Sequence, residues 1–256
     1  MDLTYKTDDI EEFIISNNFL EIIDNNGGMK IPDMFSFYFL LKQLCPQVVI
    51  ESGVWNGLST KLIRNTLGND VKIICLDPRN IDTQNGGFID DNINTTYFVG
   101  DKFIDFDQLD VSSFNKETLL CFFDDHQNSA QRLVQAKNKA VKHLFFNDNY
   151  PVNCGSHYTI QHLLDNDPRD KFDLHNQYNY SINTFPQIDM NRREEYIQYI
   201  DKYHIFPNIY PSKIDTWEGN FDCESFFNAS QYGDKYYIFK KYASNYCWNT
   251  YLTLHT

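Results

Sequence analysis

Short apolar segments alternate with amphipathic ones through the middle of the chain. Five of the apolar segments have the length and the β-branched and aromatic content of buried strands, at 48–51, 71–76, 95–99, 119–123 and 141–146. Helices are predicted between them at 58–67 and 130–140. Strands that are apolar on both faces belong to parallel sheets covered by helices. The alternation therefore predicts an α/β fold with a doubly wound, mostly parallel sheet.

The segments on either side of this core have different patterns. Apolar residues at helical spacing predict helices at 8–24 and 32–44, which form an N-terminal helical cap within residues 1–46. The predicted core covers residues 47–151. After it, helices are predicted at 159–164 and 192–202, and the runs 235–242 and 248–255 are predicted to pair as an antiparallel β-hairpin. No repeat and no linker marks a boundary, so we expect one domain over residues 1–256, with loops and the hairpin in 152–256.

Charge and composition exclude several classes of protein. The formal net charge is −13 with a pI near 4.8, which disfavours non-specific binding to nucleic acid or to anionic membranes, because both need a basic surface. No apolar run approaches the ~18 residues of a membrane span, and the acidic N-terminus lacks the order of a signal peptide. The six cysteines include no CxxC pair. We therefore expect a reduced, cytoplasmic protein, and leave self-association open.

Acidic residues stand at the end of every predicted strand. They are Glu51, Asp77, Asp101, the pair Asp124 and Asp125, and Asp148. Ligands of open α/β sheets bind beyond the carboxyl ends of the strands, so these acids are predicted to converge on a ligand crevice. Their mutual repulsion requires cations or hydrogen-bond donors nearby. The alternative is that the acids only solvate the loops.

The stretch VVIESGVWNGLST at 48–60 joins the first strand to a helix through a glycine turn. A dinucleotide turn reads GxGxxG and holds an anionic pyrophosphate, whereas here only Gly53 and Gly57 are present and Glu51 precedes them. A cationic ligand such as S-adenosylmethionine (SAM) suits an acid better. Asp77 could hold ribose hydroxyls, which fits NAD as well as SAM, and Asp101 could accept from an adenine amino group.

These motifs, followed by FFDDHQ and HLFFNDNYP, resemble those of class I SAM-dependent methyltransferases with a Rossmann-like sheet. They are similar in particular to the metal-dependent small-molecule O-methyltransferases of the catechol, macrolide-sugar and cephalosporin-biosynthesis types, over residues 32–151 and the terminal hairpin. The resemblance implies SAM as cofactor, a small-molecule acceptor facing 152–256, and Mg²⁺. The implied cofactor-binding residues are Glu51, Gly53, Gly57, Ser59, Asp77 and Asp101. The implied metal ligands are Asp125, Asp148 and Asn149, whose hard oxygen atoms suit Mg²⁺.

Several assignments follow from this resemblance as expectations. Because neighbouring residues of a strand point to opposite faces, we expect one of Asp124 and Asp125 to face the crevice, and prefer Asp125 because it precedes His126. Asp125 and His126 are the expected catalytic residues, with His126 either the general base or a residue that orients Asp125. His157 could face the acceptor, for which we expect a sugar ahead of a phenol. A nicotinamide-dependent oxidoreductase and a SAM-fold binding protein without methyl transfer remain alternatives.

Overall fold

The computed structural model of the protein describes residues 1–17, 28–151, 155–165, 189–209 and 247–255, and every structural statement below concerns these residues. The helices are α1 (Thr7–Ser16), α2 (Ile31–Leu44), α3 (Leu58–Leu67), α4 (Ser129–Asn138), α5 (Ile160–Asp165) and α6 (Arg193–Ile197). The strands are β1 (Val48–Ser52), β2 (Lys72–Asp77), β3 (Thr95–Val99), β4 (Leu119–Phe123), β5 (His143–Phe146), β6 (Ile200–Ile205) and β7 (Thr250–Leu254).

The strands form one sheet of seven in the order β3-β2-β1-β4-β5-β7-β6. Strands β1 to β5 are parallel, so that Ile50 of β1 lies between Ile74 of β2 and Cys121 of β4. Strand β7 is antiparallel to both of its neighbours, β5 and β6. The predicted α/β fold, with a Rossmann-like, mostly parallel sheet and antiparallel strands at its C-terminal side, is confirmed.

Alternate residues of each strand pack into two separate cores, one on each face of the sheet. The first face carries Val49, Ile73, Leu120, Phe122 and Phe145 and is covered by α1, α2 and α3. The second face carries Ile50, Ile74, Cys121, Phe123 and Leu144 and is covered by α4, α5 and α6. Burial on both sides explains why β4 and the interiors of β1 and β2 have almost no polar residues. It also fixes which side chains at the strand ends point toward which helices.

The C-terminal pairing differs from the prediction in its partner strand. Strand β7 pairs on one edge with β5 and on the other with Ile200–Ile205, while its predicted partner, the run 235–242, lies outside the described residues. The helix predicted at 192–202 is wrong in its second half, because the chain leaves α6 and enters β6 at Ile200. Pairing with β7 overrides the local helical pattern there.

The N-terminal helices agree with the prediction where they are described. Helix α2 matches the predicted 32–44 closely, and α1 covers the first part of the predicted 8–24, of which residues 18–24 lie outside the described residues. Within the described part of the chain, no helix is both long enough and apolar enough to span a membrane.

Candidate functional site

The turn between β1 and α3 packs directly on the end of β4. Gly53 has φ +93°, and a Cβ atom at this position would lie 2.3 Å from the carbonyl oxygen of Asp124. Gly57 has φ +79°, and its Cβ would lie 2.1 Å from the carbonyl oxygen of Phe88. Both positions therefore need glycine for conformation and for space. The glycine turn, which the sequence predicts to bind a cofactor, therefore packs against the backbone of the residues that follow β4.

Asp77, at the end of β2, holds this turn in place. It is buried, and its Oδ2 accepts hydrogen bonds of 2.9 Å from the backbone N–H groups of Val54 and Trp55. Its Oδ1 accepts from the backbone N–H of Arg79 at 2.8 Å and from Arg79 Nε at 3.2 Å. The Arg79 guanidinium lies over the Trp55 ring, 4.3 Å from its centroid. Asp77 thus accepts from backbone donors at both oxygens and, in addition, from the half-buried Arg79 side chain.

Two residues predicted to bind the cofactor lie beneath the turn instead. Glu51 is fully buried, and its carboxylate accepts hydrogen bonds from Ser59 Oγ and, at 2.6 Å, from Thr60 Oγ1 at the start of α3. Burial raises the pKa of Glu51 from its ordinary value of 4.5 to about 7. The structure therefore corrects the expectation that Glu51 and Ser59 face the ligand. Their contacts fix the N-terminus of α3 to the end of β1.

Asp101 stands at the same edge of the sheet and is exposed to solvent. It lies in a short 3₁₀ turn, Gly100–Lys102, directly after β3. Gly100 has φ +57°, and the Asn80 side chain occupies the space that a Cβ atom would take there. Asp101 therefore lies directly beyond the end of β3, at the same edge of the sheet as Asp77.

Three side chains from the ends of β4 and β5 converge. Asp124, His126 and Asp148 each present one ligand atom within 4.8 Å of the others, and we call them the acidic cluster. His126 Nε2 lies 3.0 Å from Asp148 Oδ2. Asn147 Nδ2 donates to Asp124 Oδ1 at 2.9 Å, which ties the two strand ends together. His126 and Asp148 both have positive φ, +53° in each case, a backbone conformation that residues other than glycine rarely adopt.

Asp125, predicted as metal ligand and catalytic residue, points the other way. Its Oδ2 accepts hydrogen bonds from Ser52 Oγ at 2.6 Å and from Arg132 Nε at 2.9 Å. Arg132 is buried on α4 and also donates two hydrogen bonds to Asp105, through Nη1 at 2.8 Å and Nη2 at 2.7 Å. The strand alternation that the sequence argument used does hold, but the residue on the crevice side is Asp124. Asp125 instead satisfies the buried guanidinium.

Asn149 also departs from its predicted role. Its Nδ2 donates to the hydroxyl of Tyr203 at 2.9 Å, and its Oδ1 accepts from the backbone N–H of Gln161 at 3.0 Å. Both polar atoms of the amide are therefore engaged with β6 and α5. Asn147 lies closer to the acidic cluster, through its bond to Asp124, and the Oδ1 atom of Asn147 is buried with no hydrogen-bond partner among the described residues.

The carboxylates of the acidic cluster are buried close together and repel each other unless a positive charge lies nearby. Burial and the neighbouring Asp148 raise the pKa of Asp124 to about 7. Burial lowers the pKa of His126, but its hydrogen bond to Asp148 and the charge of Asp124 outweigh that effect and raise it to about 9. Burial opposes ionisation of Asp148, yet the bond from His126 holds the pKa of Asp148 below its ordinary value. His126 is thus the cation that the two carboxylates share.

Two residues near the acidic cluster were not singled out as strongly by the sequence. Asp33 is buried near the start of α2, and burial together with the charges of Asp148 and Asp124 raises its pKa well above the ordinary value. His157 is buried with its ring 5.5 Å from that of His126, and burial and the charge of His126 lower its pKa to about 3. The sequence indicates that His157 could face the acceptor, whereas Asp33 carries no signal beyond a helix start.

The acidic cluster fits a divalent cation by the chemistry of its donors. Asp124 and Asp148 offer hard carboxylate oxygens, and the neighbouring Asn147 has a buried amide oxygen, Oδ1, without a hydrogen-bond partner among the described residues. Such oxygen sets suit Mg²⁺, and one imidazole does not exclude it. A cation here would also relieve the repulsion that raises the pKa of Asp124.

Comparisons with known proteins give distant likenesses only. No family model and no curated protein matches the sequence. Among solved structures, CmcI with Mg and SAM is 22% identical over 44% of this chain and 50% of CmcI, with a TM-score of 0.34. CmcI with SAH is 22% identical over 47% of this chain and 62% of that one, with a TM-score of 0.37. The matches thus span about half of the length of CmcI.

Another solved structure matches nearly the whole chain, but its sequence identity is lower. A Klebsiella pneumoniae protein, whose assignment as an O-methyltransferase is itself provisional, is 10% identical over 99% of this chain and 93% of its own, with a TM-score of 0.42. At such values these proteins say nothing about what this chain binds. What is established is the α/β, Rossmann-like fold, with the glycine turn, Asp77 and the acidic cluster at one edge of its sheet.

Proposed function

We propose that this chain transfers a methyl group from SAM to a hydroxyl group of a small molecule, a sugar ahead of a phenol. The observation that carries the proposal is the contact between the Gly53 turn and the Asp124 backbone. A methyl donor held at the turn and a hydroxyl held at the acidic cluster would be neighbours. Methyl transfer needs little covalent help from protein, so this placement supplies the main catalytic effect.

The strand order supports SAM over a dinucleotide. The dinucleotide fold has the order 3-2-1-4-5-6, whereas here an antiparallel strand, β7, lies between β5 and β6. The turn has Trp55 in place of a second close glycine, and the crevice carries Asp77, Asp101, Asp124 and Asp148. An anionic pyrophosphate would be repelled by these acids, while a sulfonium and an ammonium would be attracted. Glu51, buried away from the crevice, no longer contributes to this argument.

The residues of the acidic cluster suggest how a hydroxyl would be activated. Mg²⁺ held by Asp124 and Asp148 would supply positive charge that lowers the pKa of an acceptor hydroxyl. Without such charge, His126 keeps its proton beside Asp148 and acts as a hydrogen-bond donor, because its pKa is about 9. His126 becomes able to accept a proton once the negative charge around it is neutralised.

Calorimetric titration tests the cofactor first. Micromolar binding of SAM and of S-adenosylhomocysteine, corresponding to about −8 kcal/mol, is expected, with no binding of NADH or NADPH. Tight NADPH binding without SAM binding would favour the oxidoreductase alternative. SAM binding without turnover on any hydroxyl acceptor would leave a binding protein that transfers no methyl group.

Transfer itself is then measured with radiolabelled SAM and panels of sugars and catechols. Activity should disappear with EDTA and return with Mg²⁺ or Mn²⁺, while SAM binding survives chelation, since its expected contacts lie on β1 to β3. Full activity in EDTA would contradict the metal role. Turnover of catechols in preference to sugars would contradict the proposed acceptor class.

A further inference from the structure

The carboxylate of Asp77 has no capacity left for a ligand in this conformation. It accepts from the backbone N–H groups of Val54 and Trp55, and from the backbone N–H and Nε of Arg79. An ionised carboxylate accepts about four hydrogen bonds. Asp77 is also 1% exposed. Hydroxyl groups of a ribose can bind it only if one of the present donors leaves.

Three of these four donors are backbone groups that the fold holds in place. The N–H groups of Val54 and Trp55 belong to the turn fixed by the close packing of Gly53, and the Val54 carbonyl accepts from the Gly57 N–H at 2.8 Å. The backbone N–H of Arg79 follows Pro78 directly after β2. Moving any of them would dismantle the loop.

The fourth donor is the Arg79 side chain, which can leave Asp77 by a change of rotamer without any movement of the backbone. Its Nε bond to Asp77 is 3.2 Å and its Nη2 lies 3.5 Å away, both longer than the backbone bonds. The side chain is 39% exposed, so its charge is readily hydrated when it leaves. It is held in addition by its stacking on Trp55. Asp77 is buried, but the guanidinium end of the ion pair is partly exposed and screened by solvent, and a cation–π contact at such a site is weak.

We propose that the Arg79 side chain competes with the ribose diol of the cofactor for Asp77, and so determines affinity for the adenosyl group. This inference rests on the proposed function, because it assumes a ribose at Asp77. Binding displaces the guanidinium from Asp77 and uncovers the face of the Trp55 ring in the same movement. The fold thus contains a side chain that weakens cofactor binding.

Arg79→Ala tests this directly by calorimetry on the full chain, with S-adenosylhomocysteine and adenosine as probes. Removal of the competitor should tighten binding of both about five- to ten-fold. Binding of 2′,3′-dideoxyadenosine, which lacks the diol, should not tighten. Arg79→Gln, which keeps a long side chain without the charge, should tighten binding of the diol probes in the same direction.

Arg192→Ala is the matched control. Arg192 also pairs with a carboxylate, Glu195, and contacts a ring, Tyr196, but it directly precedes α6, which leads into β6 at the opposite edge of the sheet from β2 and β3. Its removal should leave binding unchanged. Equal or weaker binding by Arg79→Ala, or an equal gain for the dideoxy probe, would overturn the role of Arg79 alone. Absence of S-adenosylhomocysteine and adenosine binding in parent and variants alike would overturn the proposed function itself.

Discussion

Replacing Glu51 by glutamine should make the protein more stable at alkaline pH and leave its stability nearly unchanged at acid pH. Glu51 is fully buried with Ser59, Thr60 and Cys75 around its carboxyl group, and burial raises its pKa from 4.5 to about 7. A difference of about 2.5 in pKa corresponds to about 3 kcal/mol, which is the cost of ionising this buried group in the folded state.

The sign follows from proton binding. Between pH 4.5 and 7 the folded protein binds more protons at Glu51 than the unfolded chain does, so its contribution to stability is fully present below pH 4.5 and is lost as the pH rises to about 7. The uncharged glutamine side chain of the variant would carry no such dependence. The variant should therefore exceed the parent by about 3 kcal/mol at pH 8 and match it near pH 4.5.

Urea unfolding of both proteins across pH 4.5 to 8 measures this difference. Asp90→Asn is the control of opposite sign, because hydrogen bonds from Thr95 and Arg64 outweigh burial and hold the pKa of Asp90 below its ordinary value. That variant should be less stable than the parent by a constant amount across pH 4.5 to 8, and should approach the parent only below the ordinary Asp pKa of 3.8, because the folded pKa of Asp90 lies lower still. A difference between Glu51→Gln and the parent that stays constant with pH would show that Glu51 faces solvent or ligand, and would refute its placement beneath the turn.

Further outcomes follow from the turn and the acidic cluster. Gly53→Ala should destabilise the fold and abolish SAM binding, because its Cβ would meet backbone, whereas Gly68→Ala, with φ +79° but open space, should cost only about 1 kcal/mol in thermal unfolding. Asp124→Asn should abolish the response of activity to Mg²⁺ while leaving SAM binding intact, and a retained Mg²⁺ response would contradict the cluster. Asp125→Asn should instead lower thermal stability by about 2 kcal/mol, since the buried Arg132 loses one of its two carboxylates.

The central elements were predictable because their signals are local. Strands 95–99 and 119–123 and helix 58–67 have the predicted bounds, since apolar content and flanking glycines are properties of the segments themselves. The partner of β7 was not predictable in this way. Residues 200–205 alternate weakly and follow a short helix, and they become a strand only because β7 offers an unpaired edge. Pairing between segments almost fifty residues apart leaves no mark within either one.

The predictions of site residues are wrong for a different reason. Side chains alternate between the two faces of the sheet, and the sequence does not show which residue points to which face. On β4, Phe122 packs on the first face and Phe123 on the second, so Asp124 returns to the first face and Asp125 to the second. Asp125 accordingly meets Arg132 of α4. Glu51 follows the same rule on β1, where Ile50 packs on the second face and Glu51 therefore points toward α3.

Sequence alone shows that neighbours diverge, but not which helix covers which face. One residue does carry that information. Arg132 stands among Ala130, Leu133 and Ala136, the positions of α4 that pack on the sheet, and an arginine buried on such a face requires carboxylates. The carboxylates that point toward α4 then form ion pairs with Arg132. Asp124 points to the opposite face of the sheet and is therefore the acid after β4 that can take part in the acidic cluster.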